Sequence, residues 1–170
     1  MFSQQEKELL LFDVHVRHAV MEILRIADVG RSHFGEIVSQ VLRKKRNLSS
    51  KRRRATSDAA YALIRMRGLI DFMLAQASAE TDWSPEAASP EEKNLARFAM
   101  GLLAIGDFHS DDFQKGSFPD FILDMVQHVG SSASICQKIE NPIDRIATET
   151  SMPTWITRKL TEQNSFDMAR

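Results

Sequence analysis

Apolar residues recur at helical spacing in the first part of the chain. After Asp13 they follow the periodicity of an amphipathic helix, and Gly30 ends the pattern; the apolar positions are Val16, Ala19, Val20, Ile23, Leu24 and Ala27. Side chains three and four residues apart share one helix face, so this spacing predicts a first helix. Ser32 can cap a second helix, whose apolar face consists of Phe34, Ile37, Val38, Val41 and Leu42.

Small side chains are characteristic of the next segment. Ser49 or Ser50 can cap a third helix, whose apolar positions are Ala55, Ala59, Ala62, Leu63 and Met66. Alanines allow neighbouring helices to approach closely, so we expect this helix to lie at the centre of the fold. Gly68 either separates it from a fourth helix, through Leu69, Ile70, Met73 and Leu74, or is tolerated within one longer helix.

Turn and capping residues organise the second half of the chain. Residues 77–89 are rich in Ser, with Thr81 and Pro85, and predict an exposed loop. The next element, Ser89-Pro90-Glu91-Glu92, combines a cap, a proline and first-turn acids, which predicts a helix through Ile105. Further helices are predicted from Phe118-Pro119-Asp120 to near Gly130, over residues 132–139 and 142–150, and from Pro153 through Leu160.

Strand alternation is nowhere sustained and the predicted connections are short, so the sequence predicts an all-α helical bundle in a single domain. With 170 residues, 43% of them hydrophobic and 26% charged, the chain has an ordinary globular composition. It has no apolar stretch of the roughly 20 residues that span a bilayer, and charged residues replace a signal-peptide core near its start. The single cysteine, Cys136, cannot form an internal disulfide. These features favour a cytoplasmic protein that does not enter a membrane.

The net charge of -1 conceals a segregation of charge along the chain. Residues 1–79 carry 14 Lys or Arg and 8 Asp or Glu, whereas residues 80–124 carry 3 and 10. The remaining residues are balanced, at 5 and 5. We therefore expect one face of the molecule to attract a polyanion.

The densest positive charge lies between the second and third predicted helices. In the segment 43–54, eight of twelve residues are Lys or Arg and none is acidic. Cations after the second helix suit its negative dipole end, but those that begin the third helix crowd its positive end. Free N–H groups and arginines at such a helix start are suited to phosphate. We predict a nucleic-acid-binding surface comprising Arg43, Lys44, Lys45, Arg46, Lys51, Arg52, Arg53, Arg54, Tyr61, Arg65 and Arg67.

Several of these residues have structural interpretations that the sequence leaves open. A charge run is often only a solvated face, and Arg54 can pair with Asp58 four residues later. Arg52 can point toward the edge of the core. Tyr61 can offer its ring to a nucleobase, or pack against a neighbouring helix with its hydroxyl at the surface.

The sequence offers no constellation of residues for catalysis. It lacks the loops G-x-x-x-x-G-K-[ST] and G-x-G-x-x-G, a G-x-S-x-G elbow and a Cys and His nucleophile pair. His15 and His18 lie three residues apart with Asp13 nearby, a set from which we expect no zinc site, and His109, Asp111 and Asp112 predict an exposed polar loop. We expect no metal, no cofactor and no catalytic site in this chain.

Several short elements resemble those of a known family. Leu48 and Arg53 form a Leu-x-x-x-x-Arg element, Ile64-Arg65 ends the third helix, and residues 69–74 form a Leu-x-x-x-Leu-type segment. Upstream lies Arg17-His18-Ala19, and downstream Pro153-Thr154-Trp155-Ile156 is similar to a Pro-x-Trp-Leu element. In these elements the chain resembles the NusB-like N-terminal domain of the RsmB/Sun/Fmu family of rRNA cytosine-C5 methyltransferases.

The resemblance implies a NusB-like RNA-binding domain over residues 1–150 and the start of a linker toward a methyltransferase domain over residues 151–170. In that family, S-adenosylmethionine and the catalytic cysteines belong to the following domain, and Cys136 does not match the family's Pro-Cys element. The resemblance thus implies an N-terminal fragment or shortened relative that grips 16S rRNA. The Val-Asn…Leu-Arg element that closes the family's domain is absent, so we expect the later helices to be rearranged.

The alternative interpretation is a helical protein-interaction module of the antitermination or ribosome-assembly type. Its partner would be a ribosomal protein or a following methyltransferase domain. Its contact surface would contain Trp155, Ile156 and Leu160.

Overall fold

A computed structural model of the chain describes residues 2–30, 32–131, 135–152 and 154–168. These residues contain ten α-helices and no strand, which confirms the predicted all-α fold class. None of the helices in this part of the chain combines the length and the apolar content that crossing a membrane requires. The helices are α1 (Gln4–Phe12), α2 (Val14–Val29), α3 (Phe34–Lys44), α4 (Ser50–Arg65), α5 (Arg67–Glu80), α6 (Pro90–Ile105), α7 (Ser110–Lys115), α8 (Asp120–Val129), α9 (Pro142–Glu149) and α10 (Thr154–Met168).

The alanine-rich helix α4 lies at the centre of the fold, as its sequence predicts. It packs against α1, α2, α3, α5 and α6. Its small residues Ala55, Ala59 and Ala60 are buried and let the neighbouring helices approach closely. Helix α6 also approaches α4 closely, because a Cβ added to Gly101 of α6 would overlap Leu63 of α4. Two neighbouring helices thus meet at small residues in the core.

The capping residues place most helix starts where the sequence predicts them. Asp13 caps α2, Ser49 precedes α4, and Ser89 forms a capping box with Glu92 at the start of α6. The second predicted helix begins one residue later than expected, after His33. Helix α5 continues to Glu80, so the predicted loop over residues 77–89 begins later than expected.

Two helices were not expected from the apolar pattern. In α1, Ser3 and Glu6 form a capping box ahead of the buried Leu10 and Leu11. The predicted exposed loop at His109, Asp111 and Asp112 is wrong, because α7 begins there. The backbone N–H of His109 donates to Asp112 Oδ2 at 3.0 Å, and the side chain of Phe113 anchors the helix in the core.

The last helices extend the bundle beyond α8. Of the predicted helix over residues 132–139, residues 132–134 lie outside the described part of the chain, while residues 135 and 136 are helical. Helix α9 is capped by Asn141 and packs against α5, and α10 packs against α9. Helix α10 continues to Met168, past the predicted end at Leu160, and the predicted start at Pro153 lies outside the described residues.

The break between α4 and α5 falls at Met66 and not at Gly68. Met66 departs from helical geometry, and its side chain provides no cap for α5. The cap comes from a distant residue, because the backbone N–H of Leu69 donates to Ser151 Oγ at 3.2 Å. Ser151 has a positive φ of 51°, a conformation that costs a non-glycine residue free energy. Ser151, in the segment after α9, thus caps the first turn of α5.

Replacing Ser151 by alanine is expected to lower the free energy of unfolding by about 1 kcal/mol, because the N–H of Leu69 loses its acceptor. Ser151→Gly removes the same hydroxyl but relieves the left-handed backbone, so it should be less destabilising. Urea denaturation followed by circular dichroism measures both variants. Equal stability of Ser151→Ala and the unmodified protein would show that the long-range cap contributes nothing.

Candidate nucleic-acid interface

The connection between α3 and α4 carries the segment of densest positive charge. We refer to residues 43–51, which end α3, cross the connection and begin α4, as the basic turn. Its backbone is folded by the hydrogen bonds Lys45 N–H to Val41 O and Leu48 N–H to Lys45 O, both at 3.1 Å. Leu48 is buried and anchors the connection in the core. The positive side chains therefore project from a fixed backbone.

Arg53 stabilises the backbone of this turn through three hydrogen bonds. Its guanidinium donates to the carbonyl oxygens of Leu42 at 2.7 Å, Lys45 at 3.2 Å and Leu48 at 2.9 Å. These three acceptors lie in the last turn of α3 and in the connection, where carbonyls lack helical partners. A guanidinium can serve all three because its donors form a rigid planar fork. The Arg53 guanidinium thus binds the protein's own backbone and is not available to an external anion.

Arg52 and Lys45 pair with carboxylates of α2 and its cap. Arg52 Nε lies 2.7 Å from Asp13 Oδ2, and the Asp13 side chain also accepts from the backbone N–H of His15 and Val16. Arg52 therefore joins the start of α4 to the start of α2, which agrees with its structural interpretation. Lys45 Nζ lies 2.9 Å from Glu22 Oε2.

Arg54 forms weaker pairs. Its Nε lies 3.5 Å from Asp58 Oδ2, the pairing expected from the spacing, and 3.8 Å from Glu6 Oε1. The hydroxyl and the amide of Ser3 hold the pKa of Glu6 below its ordinary value, and Arg54 adds a smaller attraction. The Arg54 side chain remains 78% exposed, and ion pairs at such positions contribute little. It stays accessible to an external anion.

The other four cations of the basic turn are exposed and have no partner in the part of the chain that the structure describes. Among the described residues, the side chains of Arg43, Lys44, Arg46 and Lys51 form no hydrogen bond and no ion pair. The N-cap residue Ser49 makes no side-chain capping bond, and the first backbone N–H groups of α4 have no acceptor in the described part of the chain. Unpaired positive side chains and free N–H donors thus occur together at one helix start.

The structure separates three predicted residues from the basic turn. The Tyr61 ring packs edge-on against Phe34, with ring centres 5.0 Å apart, which agrees with its packing interpretation. Arg65 lies 14 residues beyond Lys51 on α4, or about 20 Å along the helix axis. Arg67 lies beyond the helix break and pairs with Asp28 at 3.2 Å and Asp71 at 3.8 Å. These three residues belong to other surfaces.

An exposed apolar pair beside the basic turn was not anticipated. Phe12 and Val14 flank Asp13 at the junction of α1 and α2, and their side chains are 51% and 45% exposed. A residue before an N-cap often packs against an apolar residue at the fourth helical position, which here is the charged Arg17. The charged Arg17 at this position is visible in the sequence and could have identified Phe12 as a residue without an apolar packing partner.

Other reactive groups do not form a second site in the described residues. No group of three metal-ligating side chains occurs among them. Cys136 is buried, and burial, with a smaller contribution from Glu149, raises the pKa of its thiol. The thiol is therefore protonated at neutral pH, which makes it a poor nucleophile.

No protein-family model matches the chain, and neither a curated protein nor a solved structure is significantly similar to it.

Proposed function

We propose that the chain is an RNA-binding accessory domain that grips the phosphate backbone through the basic turn. The observation that carries the proposal is the set of four exposed cations that have no partner among the described residues, Arg43, Lys44, Arg46 and Lys51. Arg54 extends this surface, because its exposed ion pairs are weak. Together these residues form the proposed contact surface.

The placement of these charges supports an external anion over a merely solvated face. Arg43 and Lys44 complement the negative end of α3, but Lys51 lies in the first turn of α4, where the helix dipole disfavours a cation. A phosphate at this helix start would accept hydrogen bonds from the free N–H groups and would neutralise Lys51. The Arg53 hydrogen bonds hold the turn in place beforehand, which lowers the entropy cost of binding.

The resemblance to NusB-like domains supports RNA as the polyanion. On this proposal the partner is ribosomal RNA, the chain acts in the cytoplasm, and no cofactor binds to it. S-adenosylmethionine would belong to a methyltransferase domain outside this chain. Recognition through phosphates alone provides affinity and orientation but no sequence readout.

The double variant Arg46→Glu and Lys51→Glu tests the proposal. Loss of two phosphate contacts should weaken binding to a structured RNA by about 30-fold near 0.1 M salt and flatten the dependence of log affinity on log salt. Fluorescence anisotropy measures both quantities, and circular dichroism checks that the helices persist.

The matched control is Lys93→Glu with Lys115→Glu, which makes the same change in net charge at exposed residues of α6 and α7. This variant should retain most of the affinity. If both double variants weaken binding equally, only net charge matters. If neither variant weakens it, the basic turn is not the RNA-binding surface.

A helical protein-interaction module is the second candidate. It is supported by Ile146 on α9 and Leu160 on α10, which are large apolar side chains exposed to solvent. The side chain of Trp155 lies outside the described part of the structure. Ile146→Asp with Leu160→Asp should leave RNA affinity unchanged if this surface serves a protein partner, such as a ribosomal protein or a following domain.

A further inference from the structure

A free aromatic ring lies at the edge of the proposed RNA-binding surface. Among the Phe, Tyr and Trp side chains that the structure describes, only Phe12 and Tyr61 are exposed. The Tyr61 ring is engaged by Phe34, whereas Phe12 makes no ring contact with another described residue. Phe12 is exposed because α1 is oriented with the adjacent Leu10 and Leu11 in the core.

The ion pair between Arg52 and Asp13 brings this ring next to the basic turn. Arg52 directly follows Lys51 on α4, and Asp13 directly follows Phe12. Phe12, Val14, His15 and Arg52 line one open depression of about 630 Å³. The depression therefore combines apolar side chains with the ion pair between Arg52 and Asp13, and it adjoins the start of α4.

The carboxylates in this depression are both engaged. Asp13 is neutralised by Arg52 at 2.7 Å. Glu8 accepts a hydrogen bond from Gln4 Nε2 at 3.3 Å but pairs with no cation among the described residues. Glu8 is thus the remaining repulsive group for an approaching phosphate.

We propose that Phe12 stacks on an unpaired nucleobase of an RNA whose phosphates lie on the basic turn. This inference rests on the proposed function and makes it more specific. A base held in a duplex is covered on both faces by its neighbours, whereas an unpaired base offers its π-face to an aromatic side chain. The chain should therefore prefer RNA with single-stranded nucleotides beside a stem to the same stem without them.

The test compares a blunt RNA hairpin, whose loop is a non-nucleotide linker so that it contains no unpaired base, with the same hairpin that carries a single-stranded adenine extension. Phe12→Ala should weaken binding to the extended hairpin by about tenfold and leave binding to the blunt hairpin unchanged. A 2-aminopurine in the extension should be quenched on binding to the unmodified protein but not to Phe12→Ala. Phe12→Tyr keeps an aromatic ring and should retain both the preference and the quenching.

Two further variants sharpen the test. Val29→Ala removes another apolar side chain, 83% exposed, at the far end of α2, and should not affect either RNA. Glu8→Gln removes the repulsive charge and should increase affinity for the extended hairpin. Both changes affect exposed residues, so the fold should persist.

The outcomes separate this inference from the proposed function. If Arg46→Glu with Lys51→Glu weakens binding as expected but Phe12→Ala does not alter the preference, the stacking inference is wrong and the proposed function stands. Equal binding of the two hairpins by the unmodified protein would also overturn the inference. If the basic-turn variant binds both hairpins normally, the proposed function itself fails.

Discussion

Replacing Arg53 by alanine is expected to lower the free energy of unfolding by about 2–4 kcal/mol. Its guanidinium donates to three backbone carbonyls, of Leu42, Lys45 and Leu48. Each is a charge-assisted hydrogen bond, and the partial exposure of Arg53 reduces their total contribution. Urea denaturation followed by circular dichroism measures the loss. RNA affinity should fall as well, because the basic turn loses its fixed shape. The salt dependence of that affinity should change little.

Two variants separate the hydrogen bonds from the charge. Arg53→Lys keeps the positive charge but cannot reach three carbonyls in one plane, so it should lose about half or more of the same stabilisation. Arg46→Ala removes an exposed, unpaired cation from the same turn and should change stability by less than about 0.5 kcal/mol. If Arg53→Ala proves as stable as Arg46→Ala, the three hydrogen bonds contribute nothing to the fold.

Replacing Phe113 by alanine is expected to cost about 3–5 kcal/mol, because its removal leaves a cavity in the core. Phe113 is fully buried, with its ring centre 5.1 Å from that of Phe118. The Arg17 guanidinium covers the Phe118 ring at 4.7 Å, so the loss reaches α2 as well. Urea denaturation again provides the measurement.

The matched control lies on the same short helix. Gln114→Ala changes an exposed residue of α7 and should alter stability by less than about 0.5 kcal/mol. Phe113→Leu retains most of the apolar volume and should fall between the two. If Phe113→Ala and Gln114→Ala are equally stable, α7 does not belong to the cooperatively folded core.

The fold could be predicted where an apolar periodicity and a cap coincide. Helix α6 is the clearest example, because Ser89, Pro90 and Glu92 specify its start before the apolar pattern begins. Helix α7 could not be predicted in this way, because a helix of six residues with one buried anchor, Phe113, shows no period. In α1, the consecutive Leu10 and Leu11 obscured the helical period of apolar residues. The spacing of Ser3 and Glu6, which is typical of a capping box, was nevertheless present in the sequence.

The position of the candidate site could be predicted from the sequence, but the partners of its charges could not. Among the predicted residues, only the pairings of Arg54 with Asp58 and of Arg67 with Asp71 follow from helical spacing. The contact of Arg52 with Asp13 depends on how α4 packs beside α2, and the Arg53 hydrogen bonds depend on the path of the connection. The NusB-like resemblance and the assignment of RNA remain predictions.

The distant cap on α5 has a consequence for synthesis on the ribosome. The N–H of Leu69 emerges 82 residues before the hydroxyl of Ser151 that it bonds. At roughly 5–20 residues per second, this interval lasts about 4–16 seconds. During that time the N–H of Leu69 must be solvated by water, because its acceptor has not yet been made. The nascent chain therefore completes this junction late, although both helices around it are made early.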